Sequence, residues 1–143
     1  MDIAALTGTY TYRSFLDVPD PVDDFNRLRF GQLELRLSAD PGGALSGFLL
    51  FSSGSQPLVM DLTGKASAAD PLRFQLTGKG RPATPIADFH YEYDGTVLRR
   101  WEAGLGQRTT LAGTVLRAAD HGSGASLARA GQTASFLAVR RAA

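Results

Sequence analysis

The run Asp88-Phe89-His90-Tyr91-Glu92-Tyr93 concentrates the residue types that could carry acid–base chemistry. Successive side chains of an extended strand point to opposite sides. The run therefore separates an aromatic face (Phe89, Tyr91, Tyr93) from a titratable one (Asp88, His90, Glu92). His90 and Glu92 would stand about 7 Å apart along the strand. Facing a cavity, they would be an acid/base pair beside Tyr91, and these three are the catalytic candidates. Facing solvent, they are a polar pair on an outer wall, and this is the expected orientation.

A second group is aromatic. Tyr10, Tyr12, Tyr91, Tyr93 and Trp101 share one strand parity, the one assigned below to the interior. A barrel filled by Leu and Val needs no phenols, and a buried phenol must find a hydrogen-bond partner. Several interior phenols imply a polar network or an incompletely filled cavity. Arg99 has the parity of Trp101. A buried guanidinium without a counter-charge is costly, so Arg99 either turns outward or meets an anionic group. With Gln107 it is the candidate for the polar end of a ligand.

Other chemistries find little support. The chain has no cysteine, so thiolate nucleophiles, thiolate metal sites and disulfides are excluded. Asp17, Asp20, Asp23 and Asp24 lack EF-hand spacing and its closing Glu, and read as helix capping and solvated surface. His121, the other imidazole, sits in a Gly-rich loop, so no metal site is expected. Gly104-Leu105-Gly106 follows a strand but opens no helix, so it is no phosphate cradle. No Ser-His-Asp order with a nucleophile elbow is present. The net charge of +1 and the absence of a basic run argue against nucleic acid or an anionic membrane as partner. Charge is nonetheless uneven: residues 1–71 hold nine acids and five bases, and residues 72–143 hold five and ten.

The elements that must position these residues are strands. Length (143 residues), 43% hydrophobic and 20% charged content fit one globular domain spanning 1–143. Period-two alternation runs over 5–16, 28–38, 44–52, 57–64, 72–79, 87–93, 96–102, 107–117 and 131–140. Turn signals separate them at Asp40-Pro41-Gly42-Gly43, Ser52-Ser53-Gly54-Ser55, Ala69-Asp70-Pro71 and Asp94-Gly95. Asp94-Gly95 predicts a two-residue hairpin joining 87–93 to 96–102. A short helix is expected at 21–28, capped by Asp20 with Pro21 first, lying over one barrel end through Phe25 and Leu28.

Leu-x-Gly recurs at Leu6-Thr7-Gly8, Leu45-Ser46-Gly47, Leu62-Thr63-Gly64, Leu76-Thr77-Gly78 and Leu111-Ala112-Gly113. Leu and Gly point the same way, with Leu58, Met60, Leu72 and Phe74 on that face and Thr63, Lys65, Thr77 and Lys79 on the other. The Leu-x-Gly face is therefore the inner one. Repeated inward glycine suits a sheet that bends to close. The expectation is an all-β, closed antiparallel up-and-down barrel of about eight to ten strands.

Leu6-Thr7-Gly8-Thr9-Tyr10 resembles the first-strand Gly-x-Trp signature of the calycin group (avidins, lipocalins, fatty-acid-binding proteins), with Tyr10 in the Trp place. The last strand, Phe136-Leu137-Ala138-Val139-Arg140-Arg141, ends in a basic residue of the kind that lipocalins pack over that aromatic. The Leu-Thr-Gly style of the middle strands is similar to avidin. The resemblance implies a barrel with a ligand cavity at one mouth. It does not carry biotin binding over, because avidin's site depends on several tryptophans and this chain has only Trp101.

The expected function is binding of a small, largely apolar molecule in a Tyr/Trp-lined cavity. Tyr10, Tyr12, Tyr91, Tyr93, Arg99, Trp101 and Gln107 are its candidate contacts. A cofactor-free cyclase or isomerase acting in the same cavity is the alternative, and a structural or oligomer-forming barrel with a filled interior is the third reading. No cofactor is expected. The expected partner is a small hydrophobic ligand, with a homodimer left open. The N-terminus lacks a basic n-region and an apolar h-region, so a cytoplasmic location is expected.

Overall fold

The computed structural model describes residues 2–20, 22–51, 57–69 and 71–141. Ser52-Ser53-Gly54-Ser55, Asp70 and Pro21 lie outside the described residues, and with them one predicted turn and parts of another turn and of the predicted helix. Eight strands follow in order: β1 (Gly8–Leu16), β2 (Arg29–Ala39), β3 (Ala44–Phe51), β4 (Leu58–Ser67), β5 (Arg73–Gly80), β6 (His90–Val97), β7 (Thr110–Arg117) and β8 (Thr133–Arg140). Each pairs antiparallel with the next, and β8 returns to β1, closing an up-and-down barrel. Closure leaves no sheet edge.

The inner face is the one the Leu-x-Gly parity predicts. Leu62, Leu76 and Leu111 are buried, whereas Thr63 and Lys79 are exposed and Thr77 is half-buried. Glycine serves closure where strands approach closely. A Cβ on Gly64 would lie 1.9 Å from the Gln75 carbonyl oxygen, and one on Gly113 would lie 2.1 Å from that of Asp94. Neither position has room for a side chain.

Asp94-Gly95 is not a turn. It lies within β6, where Gly95 pairs with Phe74 on one side and Gly113 on the other. Neither residue has positive φ. Gly95 faces inward, and a Cβ there would meet Phe74 Cζ at 2.4 Å and Phe136 Cζ at 3.0 Å. The glycine makes room for two rings. The predicted strands 87–93 and 96–102 are thus largely one strand, and residues 98–109 become a loop. That correction moves Arg99, Trp101 and Gln107 off the barrel wall.

The two barrel ends differ. The start of β1 lies at the end plugged by a 3-10 turn, Ile3–Leu6, whose Leu6 is fully buried. The β2–β3, β4–β5 and β6–β7 connections share this end. At the other end lie the connections β1–β2, β3–β4, β5–β6 and β7–β8. The helix expected at 21–28 is a 3-10 turn, Phe25–Leu28, capped not by Asp20 but by Asp24, whose carboxylate accepts from Asn26 N at 3.0 Å. Phe25 stacks on Phe15 at 3.9 Å, and neither ring lines the interior cavity. This turn therefore packs beside the mouth rather than across it. No helix among the described residues is long and apolar enough to cross a membrane.

Candidate functional site

At the end away from the plug, the interior opens into a cavity of about 390 Å³. Its depth is set by strand parity. Tyr12 and Ser14 come from β1, Met60 from β4, Tyr91 and Tyr93 from β6, and Val115 from β7. The rim adds Phe30, Phe51, Leu58, Ile86 and Phe89, so most of the wall is hydrocarbon and aromatic.

Burial pushes the Tyr93 phenol well above its ordinary pKa, with the phenols of Tyr12 and Tyr91 adding to the shift. Tyr12 is raised too, chiefly by burial, against the opposing effect of a hydrogen bond with Ser14. Both therefore stay protonated and offer neutral hydroxyls inside an apolar wall.

Tyr91 is built into a polar cluster at the rim. Arg117 Nε donates to the Tyr91 hydroxyl oxygen at 3.1 Å. The same oxygen lies 3.0 Å from His121 Nε2. Arg117 can only donate, which leaves the phenol proton free to go to His121 Nε2 in the tautomer that carries its proton on Nδ1. Burial lowers the His121 pKa, and the Arg117 charge lowers it further against a smaller opposing effect of Asp88. His121 also stacks on Phe89 at 3.9 Å. Arg117 lies over the rings of Phe30 and Tyr91, 5.4 and 5.8 Å from their centroids. It makes no ion pair among the described residues.

The loops fix this cluster. His121 pairs through its backbone with Ala128 within the β7–β8 connection. Gly122 N donates to Asp88 at 3.0 Å, tying that connection to β5–β6.

Of the residues predicted for the site, Tyr12, Tyr91 and Tyr93 come together in the cavity. Tyr10 does not line it. Tyr10 is fully buried at the plugged end and donates to the Leu6 carbonyl at 2.8 Å. Arg99, Trp101 and Gln107 sit on the β6–β7 loop, also at the plugged end, because β6 stops at Val97. Trp101 is 64% exposed, with Arg99 over its ring at 4.4 Å. His90 and Glu92 face outward from β6, where His90 Nε2 meets Glu92 Oε1 at 2.8 Å and Thr77 donates to Glu92 Oε2 at 2.7 Å.

Sequence reasoning missed Arg117, His121, Ser14 and the rim aromatics. Arg117 was within reach, since it shares the inner parity of Leu111 and Val115. Phe30 stands beside the register irregularity at Ser14/Phe15, which breaks the parity argument there. His121 enters through loop folding, which no local pattern encodes. Among the described residues no three His, Asp or Glu side chains are grouped to hold a metal. Compared with known proteins, the chain matches no family model, no curated protein and no solved structure.

Proposed function

We propose that this barrel binds a small, largely apolar molecule, with its body among Met60, Leu58, Ile86 and the rim aromatics and its polar end at Tyr91 and Arg117. The observation that carries this reading is the cavity itself. Its volume of about 390 Å³ falls within the range of roughly 300–1,000 Å³ usual for small-molecule sites, mostly apolar with a few fixed polar groups. That volume also favours a ligand over a filled, purely structural interior. The Arg117 guanidinium, which forms no ion pair among the described residues, gives the polar end a preference for negative charge or a strong acceptor. Eight-strand closure and the opening Leu6-Thr7-Gly8-Thr9-Tyr10 support a calycin-like relationship.

The test is displacement of an environment-sensitive apolar dye, anilinonaphthalene sulfonate, with native mass spectrometry of protein purified from its own host. Saturable dye binding, abolished by Leu58→Trp in a protein that keeps its far-ultraviolet spectrum, is the expected result. Dye binding unchanged in Leu58→Trp would place the apolar site elsewhere and reject the reading.

A second reading, a cofactor-free cyclase or isomerase, is favoured by one feature: the Tyr91 hydroxyl is held between Arg117 and His121, oriented rather than free to rotate. A substrate oxygen that takes the place of His121 as acceptor receives the Tyr91 proton as a hydrogen bond to a developing oxyanion, while Arg117 holds the phenol oxygen in place. Product analysis after incubating candidate substrates with wild type and Tyr91→Phe separates the readings. Turnover lost while binding persists would favour catalysis.

A further inference from the structure

The β6–β7 loop, at the barrel end opposite the cavity mouth, holds apolar side chains in water by a built device. Gln107 folds its side-chain amide back on Trp101: its Oε1 accepts from Trp101 N at 2.6 Å, and its Nε2 donates to the Trp101 carbonyl. Arg100 donates to the Gln107 carbonyl at 2.9 Å. Gly104 leaves the space this amide occupies, since a Cβ there would lie 2.3 Å from Gln107 Nε2. Gly106 takes φ +58 with open space around it, a conformation that glycine adopts without steric cost. Between the two glycines, Leu105 is 97% exposed, and Trp101 and Leu98 are 64% and 41% exposed.

Single exposed apolar residues are ordinary. Here, however, a Trp and a Leu stand exposed together on one loop whose backbone is fixed by the Gln107 amide and shaped by two glycines. The charges around them are lopsided. Arg99, Arg100 and Arg108 lie on the loop against Glu102 alone. None of the three forms an ion pair among the described residues. Arg108 also reaches the Arg140 carbonyl at 3.3 Å, which ties the loop to the end of β8.

We propose that this loop docks the plugged end of the barrel onto an anionic lipid surface, with Leu105 and Trp101 entering the headgroup region and the arginines meeting lipid phosphates and carboxylates. Trp is at home at the membrane–water interface, where its ring is apolar and its N–H stays wet. A guanidinium next to an anionic leaflet contributes about fivefold in affinity. The chain's overall charge of +1 does not oppose this, because exposed charges farther apart than about 8 Å are largely screened at physiological salt and the nearby set dominates. Docked in this way, the cavity mouth faces away from the lipid.

Trp101 is the sole tryptophan, so the protein reports on its own docking. Mixed phosphatidylcholine/phosphatidylserine vesicles should shift Trp101 emission to the blue, and brominated lipid should quench it. Phosphatidylcholine vesicles alone should do neither. In co-sedimentation, Leu105→Ser and the single variants Arg99→Gln, Arg100→Gln and Arg108→Gln should each bind several-fold more weakly, with wild-type binding falling as salt rises. The proposal is overturned if anionic vesicles produce no shift and no co-sedimentation. It is equally overturned if binding is unchanged in Leu105→Ser and in all three Gln variants. A blue shift that grows with protein concentration in the absence of vesicles would assign the loop to self-association. A shift given by an acidic polypeptide but not by vesicles would assign it to a protein partner. Either result rejects the lipid surface.

Discussion

The Tyr91 hydroxyl meets His121 Nε2 at 3.0 Å although the two residues are 30 positions apart. One comes from the start of β6, at the rim, and the other from the β7–β8 connection at the same barrel end. Arg117 Nε donates to the same phenol oxygen, so this one atom is contacted from both sides. A strand residue, a strand-end residue and a loop residue are thereby fixed around one atom at the opening of the cavity.

Removing that atom tests the cluster. Tyr91→Phe keeps the ring against Phe89 and Phe30 but leaves Arg117 Nε and His121 Nε2 without their partner. The expected loss in affinity for a ligand with a polar end is about 0.5–1.5 kcal/mol, the worth of one neutral hydrogen bond. An uncharged, wholly apolar ligand should lose less. Calorimetric titration of both ligand types into both proteins measures the difference.

Acid should weaken the fold through His121. Its folded pKa lies below the ordinary value near 6.5, so the unfolded chain binds the proton more readily than the native one. Stability then rises with pH through the window below about 6.5 and declines on acidification. Protonation also removes the Nε2 acceptor that Tyr91 uses. Urea unfolding of wild type and His121→Gln at about pH 7.5 and about pH 5.5 should show a smaller drop for the variant. Equal drops would show that His121 is not responsible.

Barrel closure rests on β1 and β8, where Tyr10 and Arg140 are register partners. Among the described residues, Arg140 is not among the cations placed over an aromatic ring, the contact that the lipocalin resemblance implied with Tyr10. It runs past Gly8, and its Nη1 donates to the Ala5 carbonyl at 3.1 Å, pinning the plug. Burial raises the Tyr10 phenol to about 12, against the opposing effect of the Arg140 charge. Arg140→Ala should cost about 1 kcal/mol, a partly exposed charged hydrogen bond, with the fold intact. Tyr10→Phe should cost a similar amount by leaving the Leu6 carbonyl without its donor. Thermal unfolding of the two variants and the double variant gives both costs and their coupling.

The barrel was legible because one physical rule runs through most of the chain. A closed sheet with a dry interior forces period-two alternation, and the Leu-x-Gly repeats state its phase on strand after strand. The same rule places Tyr12, Tyr91 and Tyr93 inside, and they line the cavity. It fails wherever a residue leaves the ladder. Parity extended past Val97 sent Trp101 and Arg99 inward, whereas the strand ends there and they belong to a loop. His121 reaches the cavity through hydrogen bonds between two connections, information that is tertiary from the start.

Gly95 is the instructive misreading, and it can be tested. In a hairpin turn, glycine supplies positive φ, and asparagine is the next-best residue. In the barrel, glycine supplies absence: the Cβ position is 2.4 Å from Phe74 Cζ. Gly95→Ala should therefore destabilise by roughly 1–3 kcal/mol through overpacking, and Gly95→Asn should be worse still. Trimming the opposing ring with Phe74→Leu should recover part of the alanine cost. A turn would show the reverse order, with asparagine tolerated and no coupling to Phe74. Denaturant midpoints of wild type, Gly95→Ala, Gly95→Asn, Phe74→Leu and the Gly95→Ala/Phe74→Leu double variant decide between the two.

Trp101 makes the last prediction, because its position separates the two ends of the barrel. It lies on the β6–β7 loop, 64% exposed, with the Arg99 guanidinium over its ring at 4.4 Å. The cavity opens at the opposite end and is lined by Tyr12, Tyr91 and Tyr93. A ligand entering there touches tyrosines and displaces water around them, but it does not alter the solvation of the indole. Saturating the cavity should therefore change tyrosine-derived signals, such as near-ultraviolet dichroism and the ring resonances of Tyr91 and Tyr93. It should leave the position of the Trp101 emission maximum unchanged. Iodide should still quench Trp101 efficiently, since an exposed ring is open to collision. Leu58→Trp gives the counterpart, an indole at the rim of the cavity whose emission should move when a ligand binds. A ligand that shifts native Trp101 emission while leaving the tyrosine resonances in place would mean that the binding site is at the plugged end.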